Sequence, residues 1–144
     1  MSAVAGNAKL RAGDLSVGES REQVLVENLT RTQIVQYAGA SGDFNPIHHD
    51  EVFATKVAGY PSVFAHGMLS MGLAGRLLTD WLGDGVLRSF GVRFVRQVWP
   101  GDTLTAKGTV TAVGADGSVE IELVTTNQRG EPVLAGEAVA QLPV

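Results

Sequence analysis

The densest polar cluster in the sequence is Gly42-Asp43-Phe44-Asn45-Pro46-Ile47-His48-His49-Asp50. A carboxylate and an imidazole that titrates near neutrality can hold one water between them and divide the donation and acceptance of its proton. Asp43 and His48 stand five positions apart. That is about 140° around a regular helix, and opposite faces of a strand, so neither geometry lets them share one substrate atom. Pro46 removes a backbone donor and biases Asn45 away from the helical region, which makes the stretch an irregular, bent loop. Such a loop can aim both groups at one point, with the Asn45 amide fixing it. A plain surface turn is the alternative, since Gly, Asp, Asn and Pro are all turn formers, and composition alone favours it.

A second feature is Ala65-His66-Gly67-Met68, at the start of the most apolar helical stretch. Free N–H groups at a helix start favour negative charge, and a glycine lets a substrate approach the backbone. Together they are equipment for stabilising an oxyanion. Gly67 could equally serve a tight entry into the helix, and His66 reads as a hydrogen-bonded structural histidine. Asp43, His48, His49 and Asp50 match no common metal-ligand spacing, so no metal is expected.

These residues need elements to hold them. Val24 and Val26 alternate with polar neighbours in a first strand over Arg21 to Asn28. Thr30 or Thr32 caps a helix running to about Ala40, ended by Ser41-Gly42-Asp43. A short helix from Glu51 to Lys56 follows the polar loop. The stretch from Gly67 to Leu82 is apolar nearly all round with Gly72 and Gly75 in its middle, which predicts a buried helix closely approached by other backbone. After Gly85 the hydrophobic period changes from 3.6 to 2. Phe90 to Phe94, Leu104 to Ala112, Val119 to Leu123 and Val133 to Leu142 then read as four meandering strands. One greasy helix followed by such a meander predicts an α+β fold with an antiparallel sheet.

The chain has 144 residues, 44% hydrophobic and 18% charged, with a mean hydropathy of +0.12. That suits one domain over residues 1–144, with residues 1–16 as a flexible N-terminal tail, and excludes intrinsic disorder. A formal net charge of −4 argues against a nucleic-acid partner. Without cysteine there is no disulfide framework or thiol nucleophile. No leader segment and no run of ~18 apolar residues is visible, so a cytoplasmic protein without a membrane partner is expected.

Tyr37-Ala-Gly-Ala-Ser-Gly-Asp43-Phe-Asn45-Pro46-Ile-His48, followed by Ala65-His66-Gly67-Met68, resembles the MaoC-like dehydratases. These include (R)-specific enoyl-CoA hydratases and 3-hydroxyacyl-ACP dehydratase catalytic subunits. The resemblance runs from about Thr30 to the C-terminus. It implies a hot-dog fold, in which a curved antiparallel sheet wraps one long central helix. It further implies Asp43 and His48 as the catalytic pair, Asn45 as a support for the loop and the Gly67 N–H as the oxyanion donor. The activity implied is reversible hydration of trans-2-enoyl thioesters, or dehydration of (3R)-hydroxyacyl thioesters, carried on CoA or acyl-carrier protein. No cofactor is implied. Small residues of the central helix, Gly72 and Gly75 among them, would line the acyl tunnel. Gly75 stands where some members have a serine that helps to bind water. Arg88, Arg93, Arg96, Lys107 and Arg129 are candidates for the carrier's phosphates. A homodimer is expected, with a heterodimer of related hot-dog subunits second. A hot-dog thioesterase and a non-catalytic acyl-binding partner subunit are the competing functions.

Overall fold

Residues 9–144 are described by a computed structural model. Where the sequence has helical period the chain forms α1 (Arg31–Ser41) and α2 (Gly67–Leu82). Where the period falls to 2 it forms strands: β1 (Ser20–Val26), β2 (Leu87–Phe94), β3 (Leu104–Val113), β4 (Ser118–Thr126) and β5 (Pro132–Gln141). Together these make one five-stranded antiparallel sheet in the order β1-β3-β4-β5-β2. The architecture is α+β, with one face of the sheet packed on α2 as the resemblance implies.

α2 buries Ala74, Leu77, Leu78, Trp81 and Leu82 against the sheet. Alternate residues of the strands meet them: Leu104, Ala106 and Val110 of β3, and Val119, Ile121 and Leu123 of β4. Each fully buried Leu or Ile contributes about 2 kcal/mol of apolar transfer. Between them on β4, Glu120 and Glu122 are exposed on the outer face. The close backbone approach expected at the helix glycines is supplied by the sheet instead. A Cβ on Gly108 of β3 would lie 3.2 Å from the Trp81 ring and 3.4 Å from Leu77. On Gly75 it would make only a 3.4 Å contact with the Phe90 ring, and on Gly72 it would touch nothing within 4 Å.

The expected four-strand meander is a three-strand one, β3–β4–β5. β2 pairs with β5 through Phe90 and Ala138, while β1 occupies the free side of β3 through Gln23 and Ala106. Alternation specifies which face a strand buries and leaves its neighbour open. Trp99-Pro100-Gly101-Asp102 therefore closes a crossover rather than a hairpin. In β1 the inward residue is Leu25, at 4% exposure, while Val24 is 49% exposed. A register shift between Val24 and Val26 accompanies this reversal of the expected face.

Within the segment 1–16 expected as a flexible tail, residues 12–15 are held against the core. Residues 1–8 lie outside the described residues, but Ala12 and Leu15 are buried in the core. A turn at Ala12–Asp14 is tied down by the Ala12 N–H donating to the Pro143 carbonyl at 2.9 Å. Among the described residues no helix is long and apolar enough to cross a membrane.

Candidate active site

α1 begins at Thr30, whose hydroxyl accepts from the Gln33 N–H while the Gln33 side chain accepts from the Thr30 N–H. It ends at Gly42, where φ of +76° takes the left-handed conformation that glycine reaches without strain. The chain then bends twice. The Asn45 N–H donates to the Asp43 carboxylate at 3.2 Å, and the Ile47 N–H donates to Asn45 Oδ1 at 3.2 Å. Asn45 so caps a short 3-10 turn, Pro46–His48, with Pro46 in its first position. The result is the bent loop that Pro46 predicts: Asp43 is exposed, and His48 points inward at 7% exposure.

His48 is held from across the fold. Its Nδ1 lies 2.6 Å from the Phe64 carbonyl oxygen. A carbonyl only accepts, so Nδ1 carries the hydrogen and Nε2 of the neutral ring keeps a bare lone pair. Phe64 is fixed in turn by its N–H donating to the Ile47 carbonyl at 3.3 Å and by the next N–H, Ala65, donating to Val98 at 2.8 Å. Its ring packs edge-on against Trp99, whose main-chain N–H donates to the buried carboxylate of Asp102 at 2.9 Å. Burial is the largest influence on His48 and lowers its pKa below 6.5. The Phe64 hydrogen bond and the Asp43 charge oppose the shift, and His66 and His49 add to it.

A carboxylate oxygen of Asp43 and one ring nitrogen each of His48 and His66 lie within 4.8 Å of one another. The third member is His66, which the sequence marks as a hydrogen-bonded structural histidine without placing it beside this pair. His66 is 2% exposed, its Nε2 lies 3.0 Å from the Asp43 carbonyl, and its ring stacks on His48 with centroids 3.8 Å apart and planes 26° apart. The signal was its place. The residue before a helix is usually one whose side chain caps the free N–H groups, and the His66 side chain makes no such bond. Although the three groups are near one another, they suit a metal poorly. An ion must lie close to each ring plane at about 2.0–2.1 Å from nitrogen, and nearly parallel rings aim their lone pairs side by side.

His49 and Asp50 turn to local structure. His49 Nε2 meets the Phe44 carbonyl at 3.1 Å, and Asp50 accepts from the Phe53 N–H at 3.1 Å, starting the helical turns that pass into a π-helix over Phe53–Val57.

Gly67 is the first residue of α2, where an N–H has no partner within the helix. It borders a cavity of about 260 Å³ together with Phe64, Ser70, Phe94, Val98 and Val133. A Cβ on Gly67 would lie 2.9 Å from the Phe94 ring. Gly72 and Gly75 do not belong to this lining; Ser70, one helical turn past Gly67 and 4% exposed, does. Of the basic candidates, Arg96 borders the cavity. Arg129 is bound to Glu131 at 2.6 Å, Arg88 donates to the Gly85 carbonyl, and Arg93 lies on the outer face of the sheet.

Residues 14–131 match the family model described as a MaoC like domain. The chain is 34% identical over 139 residues to the (R)-specific enoyl-CoA hydratase of Aeromonas caviae, covering 93% of this chain and 100% of that protein. It is 47% identical over 68 residues to the 3-hydroxyacyl-thioester dehydratase Y of Mycobacterium tuberculosis, a match to 45% of this chain and only 23% of that longer protein. The solved R-hydratase PhaJ1 of Pseudomonas aeruginosa superposes with a TM-score of 0.84 at 28% identity, covering 94% of this chain and 86% of that one.

Proposed function

The chain belongs to the MaoC-like dehydratase family, and on that premise we propose that it adds water reversibly across the double bond of a trans-2-enoyl thioester, giving the (3R)-hydroxyacyl thioester. One observation supports the mechanism: a carboxylate oxygen of Asp43 and a ring nitrogen of His48 lie within 4.8 Å of each other, and Gly67, first in α2, directly follows His66, the third member of that cluster. A water held between Asp43 and His48 adds its oxygen to C3. Its proton passes to this pair, and a proton passes from the pair to C2, so that water is added with none lost or gained. The bare Nε2 of His48 is suited to accept, because burial keeps the ring neutral at physiological pH. Charge that develops on the thioester carbonyl oxygen is met by the Gly67 N–H, an interaction worth about 3 kcal/mol when such a donor is lost elsewhere. Dehydration runs back through the same groups. No step calls for a metal or an organic cofactor.

The acyl thioester rides on CoA or acyl-carrier protein, and Arg96 at the cavity is the cation best placed for the carrier's phosphate. It is 3.6 Å from Glu131, whose other oxygen is taken by Arg129. The active form is a homodimer. β2 has one edge unpaired, and the nearby Phe94 and Val95 are 53% and 55% exposed, a combination that pairing with a second copy would cover.

A panel of enoyl-CoA and enoyl-ACP substrates tests the assignment on the purified chain. Loss of enoyl absorbance without release of free thiol is expected. Thiol release with the double bond intact would mark a thioesterase and overturn it.

A further inference from the structure

We propose that His66 is a positioning residue for the acid–base pair, gripping the Asp43 carbonyl with its Nε2–H and bracing the His48 ring with its face. This rests on the assignment of Asp43 and His48 to the proton transfers. One side chain touches both: the Asp43 carbonyl at 3.0 Å and the His48 ring at a centroid distance of 3.8 Å. Asp43 is exposed and sits on a bent loop, so its backbone has few other anchors. Its own carboxylate accepts from Asn45, and its N–H donates to Ser41 Oγ at 3.2 Å.

The second observation is a buried atom without a partner. His66 Nδ1 is sealed from solvent and makes no hydrogen bond. Leaving a polar atom so costs free energy, and a Ser or Asn at the same place would avoid that while capping α2. The histidine is therefore not explained by the needs of the helix. It is explained by what its other nitrogen and its face hold. The groups facing it are the Tyr37 ring from α1, edge-on at 4.8 Å, the Asp43 carboxylate and the His48 ring, while His49 acts electrostatically on His48. The Asp43 carbonyl only accepts, so this bond places a hydrogen on His66 Nε2, while the bare Nε2 of His48 is left to take the proton.

Two near-isosteric variants separate a positioning role from a packing one. Glutamine carries an amide nitrogen as many bonds from Cα as histidine Nε2, and asparagine carries one a bond short. His66→Gln should retain kcat within about fivefold, while His66→Asn lowers kcat about 100-fold and leaves KM within about twofold, the scale of a small misplacement of reacting groups. Wild-type kcat in His66→Asn, equal losses in both variants, or a defect confined to KM would each overturn the proposal. Should His66→Asn fail to fold, ring-nitrogen NMR of the wild-type protein reads the same bond. The expected tautomer has Nε2 protonated and Nδ1 bare, and a protonated Nδ1 on neutral His66 would overturn it. A wild-type chain that hydrates no enoyl thioester sinks the functional assignment alone, because the ring shifts still decide the His66 bond.

Discussion

His48 and Phe64, sixteen residues apart, are joined by a 2.6 Å hydrogen bond from the imidazole Nδ1 to a main-chain carbonyl. That bond sets the tautomer, and the tautomer leaves Nε2 as the ring's proton acceptor. Because the acceptor is backbone, no side-chain substitution at Phe64 deletes it. The test must be made on the groups that the bond serves.

Asp43→Asn and His48→Gln each remove one side of the proposed proton relay. Turnover of an enoyl thioester should fall by about 10²–10⁴-fold in either variant, the usual contribution of a positioned acid or base. Asp43 is exposed, and its replacement should change the unfolding free energy from urea denaturation by no more than about 0.5 kcal/mol. Near wild-type hydration by both variants would refute the assignment.

The His48 shift has two pH consequences. A base must be neutral to accept a proton, so kcat/KM for hydration should fall on the acid side with an inflection below 6.5, the unperturbed value. Stability follows the same sign. The folded ring resists protonation, so the unfolded chain binds more protons as pH drops from about 6.5 towards the lower folded pKa, and stability declines through that window. Below it this contribution is constant, and well above 6.5 it vanishes. A pH profile of kcat/KM inflecting above 6.5 would contradict the burial of this ring.

Gly67→Ala keeps the amide but adds a carbon 2.9 Å from the Phe94 ring. Phe94 is half exposed and lines the cavity, so its ring can shift into that space. A drop of about tenfold in kcat/KM is expected, smaller than the 10²–10³ typical of losing a donor outright. Phe94→Ala in the same chain should recover most of it, and a double-mutant cycle with no coupling would show that the clash is not the cause.

Gly42→Ala asks a left-handed residue to carry a Cβ at φ of +76°. Nothing lies within 4 Å of that atom, so the penalty is conformational alone. A loss of about 1–2 kcal/mol in unfolding free energy is expected. Unchanged stability would mean that the turn relaxes, and catalysis should then suffer, because Asp43 follows directly.

Much of the local structure was legible in the residues. Gly67–Leu82 is helical over the predicted span, since apolar residues recur through it and Gly83 ends it with φ of +102°. Pro46 after Asn45 announces the bend, and Thr30 or Thr32 the helix start, through dihedral and capping preferences that act over a few residues; the structure selects Thr30, with Gln33 as its partner. The family motif brought Asp43, His48 and Gly67 forward as candidates. Only the tertiary structure decided the rest. β2 turned from its chain neighbour β3 to β5, and Leu25 replaced Val24 on the inner face. Gly108 rather than Gly75 received α2. His66 joined the cluster because the helix start was carried against the loop. Alternation and capping are written in near neighbours; which strand closes the sheet, and which buried nitrogen finds a carbonyl across it, depends on contacts whose partners lie far along the chain.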